Sequence, residues 1–385
     1  MNVLLTDASK RTALYALRSL GKKGIRVTAA EANSIPKPIG FYSKYCKNKI
    51  FTPQPQDEKY TEVLLGLAKE FDVLIPISTD SMVPISKHLD EFNAITKVPI
   101  PNYTSLEIAL DKRKTLEFAQ QNGILIPRTF VPNNEKELMG QSKELSYPVV
   151  IKIREGSGAK GVVYANSPSD LINKYKSLQN IDPHPLVQEY IRGQGYGVFA
   201  LFNKNSKPRA TFVHKRIREY PVTGGQSTFC ESVKNPGMLK CGLKLLEKLN
   251  WYGLAMVEFK LDERDNKPKL MEINPRFWGS MPLAIASGVD FPYLLYKLAI
   301  NGDIEPVTSY RTGVRTRFLF SDLFACYQNF RKRPDKGHAI WETLQPFFDK
   351  NVNEGLLTID DPIPAIRHLV DRFSRVKRHN NGADI

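Results

Sequence analysis

The chain has little cysteine and little histidine. Its four cysteines (Cys46, Cys230, Cys241, Cys326) show no C-x-x-C spacing, and its six histidines form no H-x-x-x-H pair. That argues against a disulfide framework and against a zinc site, and it suits reduced thiols in a cytoplasmic protein. A run of about eighteen apolar residues, the length a membrane-spanning helix needs, is missing. The opening "MNVLLTDASKRTALYALRSL" lacks a basic leader and its apolar run breaks at Thr6-Asp7, so it does not read as a signal peptide. Internal repeats and low-complexity tracts are absent too. So is a G-x-G-x-x-G turn after the first strand, where "TDASKRT" stands instead. The expectation of dinucleotide binding loses its main support there.

What is present is ordinary in amount and uneven in placement. Hydrophobic residues make up 42% and charged residues 25% of 385, enough for two or three packed units. The net charge is +15. It fits a protein that handles phosphates and acidic small molecules, and it leaves nucleic-acid binding open. The basic segments "RTGVRTRF", "NFRKRPDK" and "DRFSRVKRH" gather near the C-terminus without an Arg/Gly repeat or a recognition-helix pattern. A solvated basic face is the preferred reading, and nucleic acid is not an expected partner.

The first hundred residues alternate in an α/β rhythm. "VLLTDA" and "IRVTAAEA" read as strands around an amphipathic helix with Ala13, Ala16, Leu17 and Leu20 on one face and Gly21 and Gly24 as stops. A polar stretch rich in Pro, Lys and Tyr follows, then a helix "YTEVLLGLAKEF" and a buried strand "DVLIPIS". This predicts a parallel, Rossmann-like sheet ending near Pro101. Glu31 stands where a ribose ligand would. Thr104 or Ser105 is placed to cap a helix through "LEIAL", and Asp111-Lys112 opens a second helix. "YPVVIKIREGSGAKGVVYA" reads as strand, glycine-rich loop, strand; a loop between two strands is not a Walker A loop. "HPLVQEYIRGQGYGVFALFN" and "PRATFVHKRIREYP" add strands. "PGMLKCGLKLLEKLNW" is amphipathic, and "MPLAIASGVDFPYLLYKLAING" is helical with a break near Gly288. The final "RHNNGADI" has the composition of a disordered end.

The chemistry concentrates in "LMEINPRFWGS" and the hairpin that carries it, whose turn falls at Asp265-Asn266. Residues two apart share a strand face. Glu272, Asn274 and Arg276 therefore form one polar row, with Leu270 in it and Met271 and Ile273 opposite. Glu258, on the first strand of the hairpin, can be brought against Glu272. Two carboxylates and an amide offer oxygen ligands to a hard cation such as Mg²⁺. Lys152 can reach a phosphate, and the glycines at 156, 158 and 161 let the backbone wrap it. Taken singly, each has a plainer reading: a wet strand face, a snorkelling lysine, a flexible turn. His214 reads as a packed strand residue rather than a base.

Taken in order, D-K at 111–112, "VVIK" with its glycine-rich loop at 149–161, "VQEYI" at 187–191, "VEF" at 257–259 and "MEINPR" at 271–276 resemble the ATP-grasp superfamily over residues 1–300. The likeness is greatest to the branch of carbamoyl-phosphate synthetase, biotin carboxylase and carboxylate–amine ligases. It implies an α/β (α+β) chain: a Rossmann-like domain (1–103), a two-lobed ATP-grasp domain (104–306, with a lid subdomain about 125–186) and a basic, aromatic C-terminal region (307–385). It implies ATP and Mg²⁺, or Mn²⁺, as cofactors. Lys112 and Lys152 would hold the phosphates, and Gly156, Ser157, Gly158 and Gly161 would belong to the lid. Gln188, Glu189, Tyr190 and Ile191 would read adenine. Glu258, Glu272 and Asn274 would bind the metal. Arg276 would steady the acyl-phosphate, and Lys215 and Arg216 would line the acceptor side. Relatives often hold the ribose with a carboxylate just after the hinge; "RGQGYGV" has none. The implied reaction joins a small-molecule carboxylate to an amine with release of ADP and phosphate, in a monomer or a homodimer. A bicarbonate-dependent carboxylase or carbamoyl-phosphate lobe, or a non-catalytic ATP-binding protein, is the alternative.

Overall fold

The computed structural model describes residues 1–156, 161–221 and 224–371. Ser157, Gly158 and the terminal "RHNNGADI" lie outside the described residues. The first sheet holds β1 (Asn2–Leu5), β2 (Arg26–Ala32), β3 (Cys46–Thr52) and β4 (Val73–Ile75), all parallel, in the order β3-β2-β1-β4. β3 falls in the stretch read from sequence as merely polar. It is an edge strand with Lys47, Asn48 and Lys49 exposed, the charged pattern that blunts an edge and also hides a strand from periodicity. The helix Arg11–Lys22 packs Ala13, Leu14, Leu17 and Leu20 inward.

In the turn after β1, Asp7 adopts a left-handed φ of 57°. Its carboxylate accepts from Ser78 N (3.0 Å) and Ser78 Oγ (2.7 Å), tying the turn to the end of β4. A satisfied carboxylate stands where a dinucleotide fold would receive a phosphate. Glu31 is likewise spent on backbone: it accepts from Ser9 N at 2.5 Å and Ala32 N at 2.9 Å.

A second, antiparallel sheet runs β5 (Thr129–Phe130), β6 (Val149–Lys152), β7 (Val162–Ala165) and β8 (Leu186–Glu189) in the order β5-β8-β6-β7. With the helices Glu135–Ser142 and Pro168–Gln179 it closes its own core of Leu138, Val149, Ile151, Leu171 and Val187. The glycine-rich segment joins β6 to β7, and Gly161, at φ 69°, makes the left-handed return into β7.

The third sheet has seven strands: β9 (Gly193–Phe202), β10 (Pro208–Tyr220), β11 (Gln226–Ser232), β12 (Gly253–Asp262), β13 (Pro268–Asn274), β14 (Arg315–Arg317) and β15 (Val352–Glu354). Their order is β13-β12-β9-β10-β11-β14-β15. Alternation sorts its two faces. Val198, Ala200, Val213 and Val257 pack under the helices Pro236–Lys248 and Lys112–Gln121, with Leu245 and Ala119. Phe199, Phe212 and Met256 face the other way. They join a core that runs through Trp278 and Phe291 into Leu17 and Val3 of the first sheet. The N-terminal sheet and the large sheet therefore share one core.

The helix Tyr103–Leu110 is capped by Asn102, whose side chain accepts from Ser105 N at 2.9 Å, and not by Thr104 or Ser105. Asp111 caps the next helix, as its position suggested, accepting from Arg113 N at 2.8 Å. The C-terminal region is woven into the rest: β14 and β15 extend the large sheet, and Arg18 Nε reaches Asp361 Oδ2 at 2.9 Å across the N-terminal domain. Among the described residues no single helix is long and apolar enough to cross a membrane. The apolar pair Met281–Ser287 and Phe291–Asn301, bent by 82°, buries Met281, Leu283, Phe291 and Leu295 in the core.

Candidate active site

The hairpin of β12 and β13 sets Glu258 directly opposite Glu272. Immediately beyond, the register shifts so that Phe259 pairs with Leu270 and Met271 is left over. This β-bulge corrects the simple alternation expected from sequence. Leu270 and Ile273 both enter the core beneath the sheet, while Met271 turns with Glu272 into the cavity. A bulge re-aims side chains next to a functional site at the cost of one unpaired residue.

The polar row closes on itself. Asn274 Nδ2 donates to Glu258 Oε1 and to Glu272 Oε1, each at 3.0 Å. Arg276 donates to Asn274 Oδ1 at 2.9 Å and to the Phe277 carbonyl at 3.0 Å. Arg216 pairs with Glu258 through Nη2 and with Glu219 at 3.4 Å. Burial raises the Glu258 pKa against the pull of Arg216, and neighbouring Glu272 raises it further. The amide bridges two carboxylates that would otherwise repel. An amide turned over would present its oxygen at the same point. Two carboxylates and an amide oxygen then form a hard-donor set that fits Mg²⁺. Among the described residues no group of three His, Cys, Asp or Glu could hold a metal, so such a site needs further oxygens from a phosphate or water.

Three lysines face this row or its neighbourhood. Lys112 Nζ donates to the Gly156 carbonyl at 3.0 Å and lies 3.9 Å from Glu272. Lys152 Nζ donates to Gln188 Oε1 at 2.8 Å, and Gln188 is fixed in turn by donating to Thr129 Oγ1 at 2.8 Å. Burial brings the Lys152 pKa down to about 8, and the nearby Lys112 contributes in the same direction. Lys260, not singled out in the sequence, donates to the Ile191 carbonyl at 3.3 Å and lies 5.2 Å over the Tyr190 ring. Burial lowers its pKa as well. It shares a strand face with Glu258 two residues away, and that parity was the available signal.

These groups line a cavity of about 190 Å³, whose far end is walled by Val150, Val162, Tyr164, Tyr190, Phe259 and Met271. That end suits a flat heterocycle. A second cavity, of about 510 Å³, shares Lys112, Glu272, Asn274 and Arg276 with the first and adds Gly156, Thr79 and Asp80. The charged row is thus the partition between two chambers.

Of the residues read from sequence, Lys112, Lys152, Gln188, Glu189, Tyr190, Ile191, Glu258, Glu272, Asn274 and Arg276 converge on the first cavity. Gly161 lies beyond its lining. Glu189 is engaged at the sheet edge, with its N–H on the Arg128 carbonyl (2.9 Å) and its carboxylate on Arg264 (3.1 Å). Lys215 is not brought in. It points to the opposite face of β10, 3.6 Å from Glu231, while His214 and Arg216 line the cavity. His214 is packed, as expected, with its ring edge-on to Phe199.

A small antiparallel sheet, β5–β8, facing a large sheet across a cavity lined by lysines, carboxylates and an amide is the ATP-grasp arrangement. The chain has the ATP-grasp fold and carries an ATP-grasp domain. Residues 182–319 match the family described as "ATP-grasp in the biosynthetic pathway with Ter operon". The chain is 24% identical over 220 residues to the carbamoyl phosphate synthase large chain of Saccharolobus islandicus (strain L.S.2.15 / Lassen #1), a match spanning 54% of this chain and 21% of that protein. Its fold is similar to that of N5-carboxyaminoimidazole synthetase from Staphylococcus aureus complexed with ADP. The TM-score is 0.68 at 16% identity, over 87% of this chain and 86% of the other. It is also similar to L-amino acid ligase from Bacillus licheniformis (TM-score 0.62, 18% identity, 80% and 77% covered).

Proposed function

We propose that this protein is an ATP-dependent ligase that activates a carboxylate as an acyl-phosphate and joins it to an amine, releasing ADP and phosphate. The observation that carries this reading is the partition between the two cavities. Lys112, Arg276, Glu272 and Asn274 stand where both chambers meet, the place for phosphoryl transfer between a nucleotide on one side and a carboxylate on the other. The apolar part of the cavity beside Tyr164 and Tyr190, whose rings meet edge to face at 5.7 Å, takes adenine, and Lys112 and Lys152 hold the phosphates. Glu258, Glu272 and Asn274 would hold magnesium, which neutralises phosphate charge when bound. Arg276, anchored by Asn274 and the Phe277 carbonyl, aims its guanidinium at the reacting carboxylate and then at the acyl-phosphate. The β5–β8 lobe, with its separate core, closes over the phosphates and keeps water from the acyl-phosphate.

The decisive experiment separates the nucleotide products by ion-exchange chromatography while a pool of carboxylic acids is supplied with hydroxylamine. ADP together with a hydroxamate is the expected result. AMP and pyrophosphate would mean attack at the α-phosphate and would sink the acyl-phosphate mechanism. Bicarbonate alone driving ADP release would move the protein to the carboxylase side.

Lys152 adds a pH test. Its ammonium is intact below about 8 and is lost above it. Bound phosphate favours the charged form, so ATP affinity should hold near pH 7 and then fall by up to about tenfold per pH unit above the lysine's pKa. Calorimetry across this range should show the fall in the native protein and a flat profile in Lys152→Met. A native profile without the fall removes Lys152 from the phosphate site.

A further inference from the structure

The ligase reading leaves one end of the first cavity unassigned. Apart from the part beside Tyr164 and Tyr190, its lining includes Arg11, His214, Gln226, Trp278 and Ser280, with Gln226 opposite Tyr220 and His214 six residues back along β10. His214 is fully buried, and among the described residues neither of its ring nitrogens has a hydrogen-bond partner. Trp278, 1% exposed, lies against the same Phe199 ring at 4.5 Å, and among the described residues its indole N–H is also unpartnered. Buried polar groups in folded proteins nearly always have a partner, so two orphans flanking one ring on a cavity wall point to a ligand. Burial and nearby Arg216 hold the imidazole neutral, leaving it one donor and one acceptor.

Arg11 opens the helix Arg11–Lys22 and reaches this wall from the N-terminal domain. It donates to Gln226 Oε1 at 2.9 Å and stands 5.6 Å over the Phe318 ring, and no carboxylate pairs with it among the described residues. The contrast within the cavity is informative. Arg216 is neutralised by Glu258 and Glu219, whereas Arg11 and Arg276 carry guanidiniums without a carboxylate. Arg276 already has the reacting group. A second fixed guanidinium is matched by a second anion, since such a fork favours carboxylate or phosphate geometry.

We propose that Arg11 forms a specificity subsite for a second anionic group on the acid being activated, whose remaining polar atoms meet His214 and Trp278 on the same cavity wall. The substrate class is then a dianionic acid, either a dicarboxylate or a phosphorylated carboxylate, rather than a simple monocarboxylic acid. This rests on the ligase reading. It gives the N-terminal domain a part in selecting substrate, since Arg11 is the only residue of that domain in the cavity lining among the described residues.

The test is calorimetric binding of probes to the full chain in the presence of Mg·ADP, which needs no turnover. The probes are glutarate and adipate as dicarboxylates, 3-phosphoglycerate and phosphoserine as phosphorylated acids, and butyrate and hexanoate as monoanions. At least one dianion should bind tenfold or more tighter than every monoanion, and Arg11→Gln should erase that ratio while Mg·ADP affinity is unchanged. Which dianion wins tells a carboxylate from a phosphate partner. Monoanions binding as well as dianions, a ratio that survives Arg11→Gln, or no dianion bound at all would overturn the subsite. Failure of the ligase reading is separately visible as AMP among the turnover products. The ratio is also blind to a general loss of stability, which would weaken all probes alike.

Discussion

Glu272→Gln is expected to yield a protein that melts like the native one yet releases ADP on the order of 10²–10³-fold more slowly, the range for removing one preorganised charge-stabilising group. The argument lies in what the side chain leaves behind. Glu272 is part-exposed, accepts from Asn274 and lies 3.9 Å from Lys112. With its charge gone, Asn274 still bonds Glu258, and Lys112 still bonds the Gly156 carbonyl. One of two facing carboxylates has been neutralised, which relieves repulsion in the empty site. Glu258→Gln should behave differently. Glu258 is the main counter-ion of the buried Arg216, so that variant should lose stability as well as activity, since breaking a buried pair costs about 3–5 kcal/mol. Coupled ADP-release assays and thermal melts on both variants check this. A Glu272→Gln protein working near the native rate, or one that fails to fold, ends the metal-ligand assignment.

That asymmetry was not legible in the sequence, where the two glutamates look equivalent. The elements themselves were legible wherever local pattern and environment agree. The strands β1, β2 and β4 of the first sheet, the two strands around the glycine-rich loop and the hairpin turn, where Asn266 takes a φ of 52°, all follow from apolar runs and turn residues, whereas the polar edge strand β3 does not. Pattern failed where a neighbour in space decides. Met271 is extruded because β12 and β13 lose register at Glu258, and nothing in "LMEIN" announces a bulge. Lys215 and Arg216 are adjacent basic residues, and only the pairing of β10 with β9 and β11 settles which one faces the cavity. Arg11 was invisible as a cavity residue because it lies on the first helix, more than two hundred residues from Gln226 in sequence. β14 and β15, three residues each, are too short for any periodicity; β14 exists because β11 offers it an edge, and β15 because β14 does.

The two helices that follow β14 should prove to depend on one buried carboxylate. Asp322, fully buried on the helix Leu319–Lys332, accepts from Arg218 Nε (2.8 Å) and Nη2 (2.7 Å), from Arg317 Nε (2.6 Å) and from Thr228 Oγ1 (3.0 Å). The same arginines reach onward to the carbonyls of Glu342 and Thr343, each at 3.2 Å, at the end of the helix Lys336–Leu344. One acid thus pairs with two guanidiniums and ties two C-terminal helices to β10 and β14. Asp322→Asn keeps the shape and removes the charge, stranding two buried cations. It is expected to cost about 3–5 kcal/mol in urea denaturation. Arg317→Met should cost less, because Asp322 keeps its two-pronged contact with Arg218 and one of the two buried cations it serves is removed. Limited proteolysis of Asp322→Asn should cut first within residues 319–371, while calorimetry still detects ATP at the large sheet. The order of the two variants is the sharp part of the expectation. If Arg317→Met is the more damaging, or if Asp322→Asn melts within about 1 kcal/mol of the native protein, apolar packing rather than this charge cluster secures the C-terminal region.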